Sequence, residues 1–341
     1  MKQLQGNKHS GRRHETNPPQ APLDRGVSRI DWLQGRSPSS LKGMVALAKH
    51  PGSPQILTTM SSPQFCLLPH RGVIAVAGDD RVEFLQGLIS NDVTRVAPGK
   101  AIWAALLTPQ GRFLNDMFVV DAGFSTLLLE TERERAPALA KKLALYKLRS
   151  KVTVEDRSAG MDVAAVFGPG AEKCNAVPGA LSYVDPRLPE LGIRVLVPAG
   201  QAGKLLGLPE APVGAYDALR LSLGVPDGSR DLPVEKALLL ESGFDELHGV
   251  DWDKGCYMGQ ELTARTKYRG LIKRRLFPVK VEGPLPAAGT AIQRDGQEVG
   301  EIRSGSGDRA LAMLRLDARD GALTAEGTRI VPEMPTWMRL P

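Results

Sequence analysis

Cysteine and histidine are both scarce in this 341-residue chain. The three cysteines, Cys66, Cys174 and Cys256, lie far apart and form no Cys-x-x-Cys pair. An odd, scattered set is no disulfide framework and fits a reducing compartment. Three thiols also fall short of the four that a cysteine-bound zinc ion or iron–sulfur cluster takes from one chain. Of the five histidines, His9, His14 and His50 fall in the first sixty residues, leaving His70 and His248. A histidine-built metal centre lacks ligands, so no protein-held metal is expected. No apolar run approaches the ~18 residues that cross a bilayer as a helix, so neither a transmembrane helix nor a membrane partner is expected.

What is present is ample apolar material, 42% of residues, enough for two or three domains with their own cores. The net charge of +6 suits an anionic ligand but is small for a protein that coats nucleic acid. Residues 1–59 are rich in Pro, Ser, Gly and Arg and show no sustained period, the composition of a disordered extension. Two origins stay open. A start codon placed too early, with translation from Met60, gives a cytoplasmic protein. A transit peptide gives a mitochondrial-matrix one, although Glu15, Asp24, Asp31 and the prolines fit it poorly. A short helix at 28–33 or 40–49 is compatible with the pattern.

From 72 onward the chain is patterned. Residues 72–78 read as a buried strand, 82–89 as a helix capped by Asp79 or Asp80, and 101–107 as a strand. Thr108-Pro109-Gln110-Gly111 is a turn, and 112–120 and 126–130 are further strands. A helix at 134–148, strands at 151–155, 163–167 and 193–197, and a helix at 201–206 follow. The helix at 215–223 closes at Gly224 and buries Tyr216, Leu219 and Leu223. This order predicts an α+β fold of two split-βαβ (ferredoxin-like) units across 60–274. Short strands at 276–281, 290–294, 298–304, 310–316 and 328–331 predict a small β-barrel over 275–341, with Asp295-Gly296 as a hairpin turn.

One stretch concentrates reactive groups: Lys254-Gly255-Cys256-Tyr257-Met258-Gly259-Gln260-Glu261. A cysteine in a glycine-rich, basic setting is either a thiol activated by nearby cations or a small residue that fits a tight turn. His248 is the only nearby imidazole and has no orienting acid, which disfavours a Cys-His hydrolase. Gln260 can donate to and accept from a heterocycle edge. Glu261 either does the same or pairs with Arg265 at helical spacing. Arg265, Lys267, Arg269, Lys273, Arg274 and Arg275 are either a solvated face or a dock for a polyanion, with Tyr268 as a stacking surface.

The eight-residue stretch closely resembles the signature of the YgfZ family of folate-binding, iron–sulfur-cluster-assembly proteins. The run Arg265…Arg269-Gly270…Lys273-Arg274 continues the likeness, as do 72–76, Phe84-Leu85-Gln86-Gly87, Asn91-Asp92-Val93 and Thr108-Pro109-Gln110-Gly111-Arg112. That family is related to the aminomethyltransferase (T-protein) of the glycine cleavage system. The resemblance covers about 62–335 and implies a three-domain ring, two α+β units plus the barrel, around a tetrahydrofolate-type ligand. It further implies a monomer that helps assemble or repair iron–sulfur clusters in client enzymes, tRNA-modifying ones included, with Cys256 functionally important and Lys254 beside it. Folate contacts are expected from Asn115, Asp116, Arg220, Tyr257, Gln260, Glu261, Arg265 and Arg269. Two departures from T-proteins stand out. Asn115-Asp116 replaces a paired Asp-Asp, and Ser222 replaces the glutamate of an Arg-x-Glu-x-Gly motif. An amide and a hydroxyl lack the charge-assisted bonds that a carboxylate makes to a pterin, which argues against aminomethyl transfer. The alternatives are a tetrahydrofolate-dependent aminomethyltransferase and a tRNA-binding scaffold, and enzymatic turnover is left open.

Overall fold

The computed structural model describes residues 60–174 and 177–340; the expectations for 1–59 lie outside them. Strands β1 (Gln64–Leu67) and β2 (Arg71–Ala77) open the chain, followed by helix α1 (Arg81–Gln86). Then come β3 (Ile102–Leu107), β4 (Phe113–Gly123), β5 (Thr126–Glu132), helix α2 (Ala136–Tyr146) and β6 (Thr153–Asp156). β2 to β6 form one antiparallel sheet in the order β3-β4-β5-β2-β6. Side chains alternate across it. Ile74, Val76, Leu106, Met117 and Leu129 face α1 and α2, while Val73, Trp103, Phe118 and Leu128 face inward.

A second antiparallel sheet holds β7 (Met161–Phe167), β8 (Leu181–Val184) and β9 (Ile193–Pro198), with order β1-β7-β9-β8. β1 therefore leaves its neighbour in sequence and pairs Phe65 with Val166. Helix α3 (Ala202–Leu206) covers the outer face of this sheet through Ala202 against Phe65, Val166 and Val195. Helix α4 (Val213–Leu223) follows and ends, as expected, at Gly224, whose φ of 75° a side chain resists. Helix α5 (Gln260–Tyr268) leads into the closed barrel of β10 (Arg274–Glu282), β11 (Ala291–Arg294), β12 (Gln297–Ser306), β13 (Arg309–Arg315), β14 (Leu323–Ala325) and β15 (Thr328–Pro332). Asp295 and Gly296 take φ of 53° and 76°, the left-handed pair that a two-residue hairpin requires. The expected α+β plan with a terminal barrel is the one observed; β1, β8, α5 and β14 were not anticipated.

The inward faces of the two sheets meet over a buried charge network. Glu130 of β5 accepts from Arg71 Nε of β2 at 3.0 Å and from Arg194 Nε of β9 at 3.0 Å, and the Tyr183 hydroxyl of β8 donates to it as well. Arg71 also reaches Asp116 at 3.3 Å and Asp227 at 3.4 Å. Arg187 donates to both oxygens of Asp185, at 2.9 and 2.7 Å. All three guanidiniums lie against the ring of Phe118, 4.4 to 5.6 Å from its centroid. Burial alone would raise the Glu130 pKa; the charges of Arg194 and Arg71 outweigh it and hold the carboxyl at about 2.

That shift has a sign. As pH falls below the ordinary value of 4.5, the unfolded chain takes up a proton that the folded chain refuses until about 2. Stability contributed by Glu130 is therefore complete above that window and lost through it. Glu130→Gln, which leaves two buried guanidiniums short of charge, is expected to cost about 3–5 kcal/mol at neutral pH. It is also expected to flatten the acid limb of a denaturant-midpoint-versus-pH curve, and an unchanged limb would refute the assignment.

Candidate functional site

The 254–261 segment is a loop that turns into α5, and its shape follows from what anchors it. Lys254 donates from Nζ to the carbonyls of Gln86 at 2.7 Å and Ile89 at 2.6 Å, the free end of α1. A cation suits the negative pole of a helix. Burial pulls this ammonium down to about 8 against the opposing charges of Asp92 and Asp251. The Met258 amide donates to Gly87 O at 3.1 Å. Gln86 holds the other side, donating to Asp92 at 2.9 Å and accepting from the Val93 amide at 2.8 Å. Gln86 and Asp92 thus support the segment; the sequence carried them only as matches to the family's first helix.

Two glycines shape the turn differently. Gly259, at φ 80°, is pressed on the 108–111 turn: a Cβ there would sit 2.4 Å from Thr108 O. Gly255, at φ 90°, has open space around it and is needed only for its backbone angle. Between them Cys256 is exposed to solvent and carries a free thiol, while the Tyr257 side chain points inward and is buried, its hydroxyl pushed up to about 12 by that burial. The Gln260 side chain turns back to accept from the Tyr257 amide at 3.2 Å. Glu261, Arg265 and Arg269 are exposed along α5 and its end, and the Glu261–Arg265 ion pair, one of the two readings of Glu261, does not form among the described residues.

The remaining expected contacts lie elsewhere. Asp116 is fully buried in the inter-sheet network, accepting from Arg71 and from Trp103 Nε1 at 3.2 Å. Asn115, one residue earlier on β4, necessarily points to the opposite, helix-side face, where its Nδ2 is buried without a hydrogen-bond partner. Arg220 is spent on Asp217 at 2.5 Å, Asp231 at 2.8 Å and Ser304 of the barrel at 2.7 Å. Ser222 donates to its own helix at Leu219 O, 2.7 Å away. The eight residues expected around a folate therefore do not share one cavity.

The pit between the sheets is lined by His70, Arg187, Arg194, Tyr216, Asp217, Arg220 and Asp227 and leaves only about 10 Å³ for a water-sized sphere, room for no more than a single water and far below a site for a ligand of drug size. Its carboxylates are all committed: Asp217 to Arg220 and Arg230, and Asp227 to His70, Arg71 and Arg230. None is left to grip a pterin, and none of residues 254–261 lines the pit. The side chains that line this pit do not fit a tetrahydrofolate. What the geometry does offer is an exposed thiol on a rigidly anchored loop, on the outside of the molecule.

The glycine contrast is testable by chemical denaturation. Gly255→Ala is expected to lose about 1–3 kcal/mol from backbone strain alone. Gly259→Ala is expected to lose clearly more, because the clash with Thr108 adds to the strain. Equal losses would refute the packing argument.

Comparison with known proteins supplies the lineage. Residues 66–176 match the family model of the GCVT N-terminal domain, and residues 273–340 that of the CAF17 C-terminal beta-barrel domain. The glycine cleavage system aminomethyltransferase T from Bartonella henselae superposes with a TM-score of 0.68 over 83% of this chain and 88% of that one. At 17% sequence identity this is a likeness of fold. The mitochondrial iron-sulfur cluster assembly factor IBA57 of Mus musculus is 36% identical over 309 residues, covering 79% of this chain and 84% of that protein. The Homo sapiens protein of the same name is 36% identical over 307 residues with the same coverage. With both ends of the fold matched and identity sustained along most of its length, the chain belongs to the family of the iron–sulfur cluster assembly factor IBA57.

Proposed function

We propose that this protein is an accessory factor for the assembly or repair of iron–sulfur clusters in client enzymes, with Cys256 as its working thiol. The observation that carries the reading is the free, exposed thiol on a loop fixed by Lys254, Met258 and Gly259. The names of the mouse and human relatives support the cluster-assembly role. The YgfZ resemblance rests on the same motif and adds tRNA-modifying enzymes to the clients this reading includes.

Cluster chemistry through Cys256 has to be shared. Cys66 is fully buried and its thiol is pushed up to about 12 by that burial. Cys174 follows β7 in a short turn at the outer side of the second sheet. A cluster takes several thiolates, so a single exposed cysteine acts on one only together with ligands from a partner. That makes the protein a helper rather than a carrier. Aminomethyl transfer is disfavoured by the same geometry that disfavours an interior folate: Asn115 faces the helices and Ser222 is bonded to its own turn. The relatives' mitochondrial names favour the matrix over the cytoplasm as the place of action.

Two measurements check the reading. In a strain deleted for the gene, Cys256→Ala is expected to leave radical-type iron–sulfur enzymes at the activity of the deletion, while Cys66→Ser and Cys174→Ser restore them. Full rescue by Cys256→Ala would sink the proposal. Calorimetric titration of the purified chain with tetrahydrofolate is expected to show no saturable binding; a one-to-one isotherm lost on Asp116→Ala would instead restore the interior folate.

A further inference from the structure

We infer that the face formed by the 252–256 loop and α5 docks a folded protein whose contact surface is acidic. The inference rests on Cys256 being the working thiol and names the kind of partner that meets it. The loop runs back along the helix. Trp252 packs edge-on against Tyr268, with ring centroids 6.3 Å apart, and Lys267 Nζ lies 4.0 Å over the Trp252 ring. Asp245 ties the two together, accepting from Trp252 Nε1 at 2.7 Å and from Lys267 at 2.9 Å. The platform is therefore held in place before anything binds.

Around it the surface lacks partners of its own. Tyr268 is 76% exposed and Leu271 46%. Arg265, Arg269, Lys273 and Arg274 are exposed and make no ion pair with another described residue. Cations without internal partners lie beside exposed tyrosine and leucine. Aromatic and arginine anchors of this kind dominate protein–protein contacts, and the free charges set the sign of the surface they meet. A nucleic acid fits less well, because Leu271, 46% exposed, offers an apolar contact that a phosphate backbone does not use. The ligands that complete a shared cluster also come from a protein.

The test uses the thiol as a reporter of the field around it. Two peptides are made with one cysteine activated as its 2-pyridyl disulfide, flanked by glutamates in one and by lysines in the other. They are mixed with the full chain carrying Cys174→Ser. The Cys256 thiolate attacks the peptide sulfur, the peptide–pyridyl disulfide bond breaks, and pyridine-2-thione leaves and is read by absorbance. The glutamate peptide is expected to react about tenfold faster or more at low ionic strength, and the advantage to collapse at about 0.5 M salt. Arg265→Glu with Arg269→Glu and Lys273→Glu is expected to reverse the preference with an unchanged circular dichroism spectrum. Equal rates for the two peptides on the unreversed surface, or faster reaction of the lysine peptide, would overturn the inference. So would a folded tRNA that shields the thiol at physiological salt more strongly than an unactivated glutamate peptide does. Charge-blind exchange in a protein whose Cys256→Ala variant still fails in cells would remove the docking inference and leave the cluster-assembly reading standing.

Discussion

The carboxylate of Glu130 is shared by two arginines from different sheets, and the two layers cannot part without stripping it of Arg194 and Tyr183. Arg71 and Glu130 belong to the first sheet, Arg194 and Tyr183 to the second. A buried ion pair adds little over well-packed apolar residues, yet breaking one is costly. The network therefore fixes how the sheets face each other more than it raises overall stability. Phe118 gives the three guanidiniums a common surface to lie on. The same interaction leaves only a small pit between the sheets.

Filling the middle moves function to the outside. With Asp116, Asp227 and Arg220 consumed by partners inside the protein, no convergent set of free polar groups remains in the pit. Away from it, the Lys254–Glu261 loop is braced by α1, by the 108–111 turn and by α5, yet it leaves Cys256 in solvent.

Much of the fold could be read in the sequence because its signals are local. The barrel strands alternate, Asp295-Gly296 is a hairpin turn by chemistry alone, and Gly224 stops α4. The elements that escaped have no local signal. β1 is four residues long and pairs with a strand about a hundred residues away. α5 buries only Thr263 and Thr266, so it has no apolar stripe to betray it. The motif around Cys256 was legible as chemistry, but its position was not. That position depends on Gly259 meeting Gly111 and on Lys254 meeting the end of α1, contacts between segments that composition and period do not connect. Asn115 and Asp116 are a different case: adjacent strand residues point to opposite faces, so both could never have served one ligand from β4.

Fold alone does not decide what such a chain does. The aminomethyltransferase likeness is a matter of backbone, and the side chains that would make it a transferase are turned away or bonded internally. Arg220 shows how the change is built in. Where a ligand-facing arginine was expected, the guanidinium instead joins α4 to Asp231 and, through Ser304, to the barrel. Ser304 also donates to Asp231 from its amide at 3.1 Å and from its hydroxyl at 2.5 Å, closing a small ring of bonds. Arg220 thus ties α4 to the barrel through Asp231 and Ser304. Next to that junction, Arg275 of β10 donates to Leu240 O at 2.6 Å and to Glu246 at 2.7 Å, so the segment that carries α5 into the barrel is pinned at its far end as well. A loop held at both ends, with its reactive atom outward and Arg265, Arg269 and Lys273 without ion-pair partners among the described residues, is organised to meet a second macromolecule.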